Sequence, residues 1–225
     1  EKAIQYGTDG EGAVRKVNKE LATQHGYIGR LLIRMGLYSS IFTAVRWVKN
    51  IREVTAEFEI QRVALGSIIQ DAEMADKMFN RIKGAAVESP FEIKDLVSYT
   101  KQLSAYRVET DKLFDTMMQL ADVSAGLGVD MSRLILAYGQ VRAASVLRGQ
   151  ELRQFTESGI PLVELLADKF SELSGEMVST GEVFELISDR AVPFSMIAEI
   201  FDDMTSAGGL FYQMQEKQAK TLKGE

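Results

Sequence analysis

Few residues in this chain have the type and spacing to do chemistry. Its one histidine, His25, would have to serve any Ser–His–Asp arrangement, and it sits in a polar segment beside Gly26. An exposed or capping histidine is the plainer reading. Gly10 and Gly12 begin a Gly-x-Gly pattern but lack the third glycine and the strand–helix setting that cradle a dinucleotide. The carboxylate neighbours Asp202–Asp203 and Glu57 with Glu59 point to different sides of a helix, where side chains meet at spacings of three and four. Nothing singles out a carboxylate pair for glycoside hydrolysis. Gly-Lys-Ser/Thr, Gly-x-Ser-x-Gly and calcium-loop spacings are absent from the sequence. Zero cysteine removes disulfides, thiolate zinc sites and cysteine nucleophiles, and one histidine removes a multi-histidine metal site. The expectation is a protein that is not an enzyme, with no catalytic residue, no cofactor and no metal. Arg133, Arg142, Arg148 and Arg153 do not fall on one helical stripe; they read as solubilising charges and local ion pairs.

The elements that would position such residues are helical. The chain has 225 residues, 46% of them hydrophobic and 26% charged, which suffices for a real core. Three prolines, with abundant Ala, Leu, Glu, Lys, Gln and Met, favour helix. Net charge is −6, and it is uneven: residues 1–70 carry 10 Lys and Arg against 7 Asp and Glu, whereas residues 71–225 carry 16 against 25. The acidic balance argues against a broad nucleic-acid footprint, which needs clustered basic residues. The stretch 155–205 is the most acidic; a solvated helical face explains it, and a surface that meets a basic partner is the sharper reading. The chain starts at Glu1 rather than Met, which reads as a piece of something longer, and no signal peptide is visible at its start.

Periodicity predicts about eight to ten helices, an all-α multi-helix bundle with a long amphipathic N-terminal helix. Over 26–54, Tyr27, Ile28, Leu31, Met35, Phe42, Val45 and Val48 recur at threes and fours, interrupted by Arg30, Arg34, Arg46 and Lys49. The uncharged run from Met35 to Val45 is about half of a membrane span. The segment therefore reads as a helix packing on a partner helix, with a membrane-surface helix as the alternative. A second amphipathic helix covers Ser67 to Glu88, with Ala72, Met74, Met78, Phe79 and Ile82 on its stripe. Ser89-Pro90-Phe91-Glu92 then reads either as a capping box or as a short extended link. Glu109 to Ala125 is helical and ends on Gly126 and Gly128. Asp130 caps the next helix, whose stripe of Met131, Leu134, Tyr138, Val141 and Ser145 fades at Arg148 before Gly149 breaks it. Gln150 to Phe155 is a helical turn or loop. Gly159-Ile160-Pro161 is a sharp turn opening a helix through Phe170. Ser179 and Glu182 form a capping box ahead of Val183, Phe184, Leu186 and Ile187. Pro193 restarts the chain into Met196, Ile197, Ile200, Phe201 and Met204. Gly208-Gly209 breaks it, and a last helix carries Leu210, Phe211, Met214 and Gln218.

Several strings, distinct from these periodicities, carry a resemblance. They are Lys83 to Leu96 (KGAAVESPFEIKDL), Leu120 to Gly128 (LADVSAGLG), Leu136 to Ala143 (LAYGQVRA) and Leu147 to Pro161 (LRGQELRQFTESGIP). The last is Met204 to Leu222, containing MTSAGGLFYQMQEKQAKTL. In order and spacing they resemble the N-terminal region of phage tail tape measure proteins over roughly two thirds of the chain. The division this suggests is residues 1–57 as a variable amphipathic lead-in and residues 58–225 as the family-type helical domain.

The resemblance implies a structural and assembly protein of a phage or prophage tail. Such chains occupy the tail tube, and their extended length sets tail length. It implies residence in the virion tail, with assembly in the host bacterial cytoplasm. It also implies self-association or binding to tail tube, tail assembly chaperone or tail tip proteins, and a part in genome delivery, where 26–54 would meet membrane. A generic helical interaction domain is the remaining alternative. At about 1.5 Å per helical residue this chain would span at most about 340 Å as one helix. Its many breaks predict instead a compact module of a longer ruler. The family pattern hands over no catalytic group. The residues that match it, Gln140, Arg142, Gly149, Glu151, Arg153, Gly159, Pro161, Gly208 and Gly209, read as structural, with Glu151 and Arg153 as candidates to bridge neighbouring helices. Partner contact is the minority reading of the same residues.

Overall fold

The computed structural model describes residues 56–222, and these are helical wherever the sequence carries an apolar stripe between caps. The chain divides into two units, Glu1–Ile60 and Gln61–Glu225. The stripe over 26–54 and His25 lie outside the described residues.

After a helical stretch over 56–69 come nine helices. They are α1 (Ala72–Glu88), α2 (Ile93–Ala105), α3 (Leu113–Leu127), α4 (Met131–Ala144), α5 (Gly149–Glu157), α6 (Leu162–Ser174), α7 (Thr180–Ser188), α8 (Phe194–Thr205) and α9 (Met214–Leu222). Among the described residues there is no strand; one isolated antiparallel bridge pairs Val146 with Pro193. The all-α bundle expected from periodicity is what forms.

Helix α3 is the axis of the second unit. Its residues Leu113, Met117, Leu120, Ala121 and Val123 are almost wholly buried, and it packs against α1, α2, α4, α8 and α9. Helix α4 adds Leu134, Ile135, Tyr138 and Val141 to that core, and packs on α2, α5 and α8. Helix α6 meets α5 on one side and α7 on the other. Polar ties cross two of these interfaces, Arg81 to Asp115 at 2.6 Å and Gln119 to Asp202 at 2.8 Å, and link α6 to α8 through Lys169, which meets both Glu199 and Asp203 at 3.3 and 3.1 Å.

Several boundaries follow the expected signals. Asp130 caps α4 by accepting from the Ser132 backbone N–H at 2.8 Å. Ser179 and Glu182 form the reciprocal capping box of α7, and Gly128 closes α3 in the left-handed conformation at φ 67°. Others differ. The helix expected over Ser67 to Glu88 is two: Gln70 turns left-handed at φ 56° and Asp71 caps α1 through the Met74 N–H, leaving Ala72 and Met74 exposed. Ser89 to Glu92 is the extended link rather than a capping box, since Ser89 ends α1 and Glu92 opens α2 without a side-chain cap bond. The helix expected from Glu109 starts four residues later, at Leu113.

Helix α4 stops at Ser145, left-handed at φ 63°, so Gly149 begins α5 instead of breaking α4. The cause is tertiary: the Leu147 N–H reaches the Val192 carbonyl at 2.9 Å, and the Phe194 N–H reaches the Ser145 carbonyl at 3.0 Å. Those bonds pull the chain out of helix and pin the α4–α5 link to the α7–α8 link. Phe184, one of the apolar residues after the capping box, is about half exposed, because the short α7 buries one seam, Val183 and Ile187. Leu210 and Phe211 precede α9; Leu210 is exposed, and Phe211 packs where any side chain at Gly126 would sit.

Gly84 lies exposed inside α1 with open space where a side chain would go. Gly84→Ala is therefore expected to stabilise the fold by about 0.5–1 kcal/mol, through backbone entropy and helix propensity. A urea midpoint at or below the parent's would contradict this.

Candidate functional site

The concave surface of note lies where the ends of α2, α4 and α5 converge. It has a volume of about 370 Å³ and is walled by Tyr106, by Gln140, Ala143 and Ala144 from the last turn of α4, and by Arg148, Gln150 and Glu151 from the start of α5. Sequence pattern builds it locally. Tyr106 caps the C-terminus of α2, its N–H bonded to the Gln102 and Leu103 carbonyls. Its ring lies in the space a side chain at Gly139 would need. On the other wall, Arg148 is the extended N-cap residue of α5 and makes no side-chain cap bond. The first-turn N–H groups of α5 thus have no side-chain cap, and Glu151 places its carboxylate in that first turn, at the positive helix end.

The groove is unusual in its polar accounting. Glu151 is 5% exposed, and its Oε2 has no hydrogen-bond partner; Gln140 Oε1, Gln154 Oε1 and Arg142 Nε are likewise buried and unpartnered. Just outside the groove, Arg142 pairs with Glu109 at 2.8 Å and lies over the Phe194 ring at 5.2 Å. Glu109 is held below the ordinary carboxylate range, first by a backbone N–H and then by that guanidinium. Beneath sits an aromatic cluster: Tyr138 meets Phe194 and Phe201 edge to face at 5.1 and 5.4 Å. Burial pushes the Tyr138 hydroxyl up to about 12.

Of the residues that carried the resemblance, Gln140 and Glu151 line this groove, Gly149 lies between its wall residues Arg148 and Gln150, and Arg142 adjoins it. Arg153 faces solvent on α5, and Glu151, the other candidate to bridge neighbouring helices, is buried with its Oε2 unpartnered. Gly159 and Pro161 make the next corner, Gly159 at φ 86°. Gly208 and Gly209 make the α8–α9 link, where a side chain at Gly209 would run into the Asp203 and Met204 carbonyls. Periodicity gives no signal for Tyr106 as a wall of the groove, since it sits just past the end of α2 and meets α4 only in the folded chain. Among the described residues no group of three or more His, Asp or Glu could hold a metal ion, and no helix is long and apolar enough to cross a membrane.

A second polar junction sits at the far side of α3. Half-buried Asp122 accepts from the Gln215 N–H of α9 at 3.0 Å. Burial raises its carboxyl above the ordinary value, outweighing the Gln215 bonds that lower it. A carboxyl raised in the native state binds a proton that the unfolded chain has released. Its contribution to stability therefore falls as pH rises from the ordinary carboxylate value to the raised one, and above that the burial of charge remains a cost. Asp122→Asn is expected to raise the urea midpoint at pH 7, the advantage shrinking as pH is lowered to the ordinary carboxylate range. A lower midpoint at pH 7 would show that the Gln215 bond to a charged oxygen outweighs its burial.

Among the described residues the chain is thus an all-helical bundle, with a groove between α2, α4 and α5 that offers unpaired polar groups. A family model described as tape measure protein matches residues 49–224, and the chain belongs to that family. Its place is accordingly the phage tail, as a structural component that contacts other tail proteins. No curated protein and no solved structure shows significant similarity to the chain.

Proposed function

We propose that the bundle over residues 58–225 is the partner-contacting module of a tape measure protein that occupies the tail tube and sets tail length, with residues 1–57 as its amphipathic lead-in. The observation that carries this reading is the family match lying on a short-helix bundle. Its longest fully described helix, α1, has 17 residues and spans about 26 Å. Elements of that size suit docking rather than ruling, so the length function falls to extended helical chain beyond this module. The partners that fit are tail tube, tail assembly chaperone or tail tip proteins and a second copy of the chain, met during assembly in the host cytoplasm. No catalytic step, cofactor or nucleic-acid contact is assigned to it.

The test is tail length. Inserting about 100 helical residues into the protein outside the bundle should lengthen virion tails by about 150 Å, measured by electron microscopy. Tails of unchanged length would remove the ruler role.

A further inference from the structure

Of the five buried side-chain atoms without a partner among the described residues, four belong to Gln140, Arg142, Glu151 and Gln154, all on α4 and α5. Five such atoms are an ordinary number for a domain of this size, so it is their clustering on two adjoining helices that calls for an explanation. A buried carboxylate oxygen without a donor is among the costliest. Three of the four are acceptors, and two of those, on Gln140 and Glu151, belong to walls of the same groove. The groove walls thus hold two acceptors that no donor meets. Arg148, at its edge, is exposed and makes no ion pair among the described residues, and the Arg142 guanidinium beside the groove is engaged by Glu109 at 2.8 Å, so neither cation supplies the missing donors.

We infer that the groove is a socket for an arginine side chain presented by a partner tail protein. A guanidinium is planar, always charged, carries five N–H donors and needs no acceptor returned to it. It can bond the Glu151 carboxylate and the Gln140 amide oxygen together while its plane lies against the Tyr106 ring. The terminal torsion of a glutamate is soft, so either oxygen can turn to the groove. Charge favours the same occupant: residues 71–225 carry a net charge of −9, which draws a basic partner and repels an acidic one. An ammonium would meet the charge but, as a compact point donor, would not span two acceptors side by side.

The inference rests on reading the bundle as a partner-contacting module, and its test is independent of that reading. Amide NMR spectra of the chain are titrated with ethylguanidinium and, at equal ionic strength, with ethylammonium. Expected are saturable shifts of the Gln140 side-chain amide and the Gly149 to Glu151 backbone amides. Ethylguanidinium should bind roughly fivefold tighter than ethylammonium, and Glu151→Gln should weaken it roughly tenfold. Gln140→Leu should weaken it too, and spectral dispersion reports that each variant is folded. Shifts that never saturate, equal affinity for both cations, or binding unchanged in folded Glu151→Gln would overturn the socket. So would a crystal structure in which Arg148 or ordered water occupies the Glu151 carboxylate in the presence of saturating ethylguanidinium. Tail assembly by phage carrying Glu151→Gln reports separately on the partner-contact reading, which would fail if normal tails formed although the socket had been lost.

Discussion

Phe201→Ala is expected to cost about 3–5 kcal/mol of folding free energy, the range for emptying a buried aromatic site. Phe201 is fully buried on α8. Its ring meets Tyr138 of α4 edge to face at 5.4 Å, and Phe155 of α5 at 5.5 Å with the planes tilted by 56°. Tyr138 in turn holds Phe194, the first residue of α8. One ring therefore ties three helices, and its removal forfeits transfer free energy, contact with two aromatic faces, and a void that the helices cannot close without moving. For a domain of this size the loss corresponds to a melting temperature lowered by roughly 10 °C. Phe184→Ala, about half exposed on α7, should change stability by no more than about 0.5 kcal/mol. The comparison matters because both phenylalanines stand in apolar runs of similar appearance. Denaturation by urea, followed by circular dichroism, separates them. A Phe201→Ala variant within about 1 kcal/mol of the parent would mean that α4, α5 and α8 are not organised around this ring.

That pair also shows where the sequence is legible. Apolar residues at threes and fours identify every helix whose buried stripe runs several turns, and α8 fills its stripe with Met196, Ile197, Ile200, Phe201 and Met204, all buried. Local chemistry reads off the caps at Asp130, Ser179 with Glu182, and Gly128, since each is decided within a few residues of itself. What local chemistry cannot decide is a stop imposed from elsewhere. Ser145 has no glycine's freedom, yet it turns left-handed because Leu147 and Phe194 exchange backbone bonds across to the α7–α8 and α4–α5 links. Gly149, the visible breaker, then opens a helix. The groove was half legible for the same reason. The resemblance brings out Gln140, Gly149 and Glu151 as strings, but their meeting depends on that non-local turn, and the fourth party, Tyr106, lies more than thirty residues upstream in sequence.

Gly139 is the position on which that groove depends, and Gly139→Leu is expected to destabilise the fold by roughly 2–3 kcal/mol, at the upper end of overpacking costs. A side chain at Gly139 would enter the Tyr106 ring at Cγ and Cδ2, atoms close to the tyrosine backbone. The ring cannot give way by bending at its tip; it must leave its rotamer, and with it goes a wall of the groove. The gain in helix propensity on losing a glycine, about 1 kcal/mol, is too small to compensate. Tyr106→Ala alone should also destabilise, by emptying the same space from the other side. Together the two changes exchange a large and a small residue across one contact, so Gly139→Leu with Tyr106→Ala should be more stable than the sum of the single effects by about 1–3 kcal/mol, the coupling typical of residues in contact. Strict additivity in urea denaturation would show that ring and glycine do not share that space. With the coupling present, the double variant also separates packing from recognition. It restores the stability of the α2–α4 contact while removing the aromatic wall, so ethylguanidinium should bind it more weakly than it binds the parent, because the carboxylate and amide acceptors remain but the stacking face is gone.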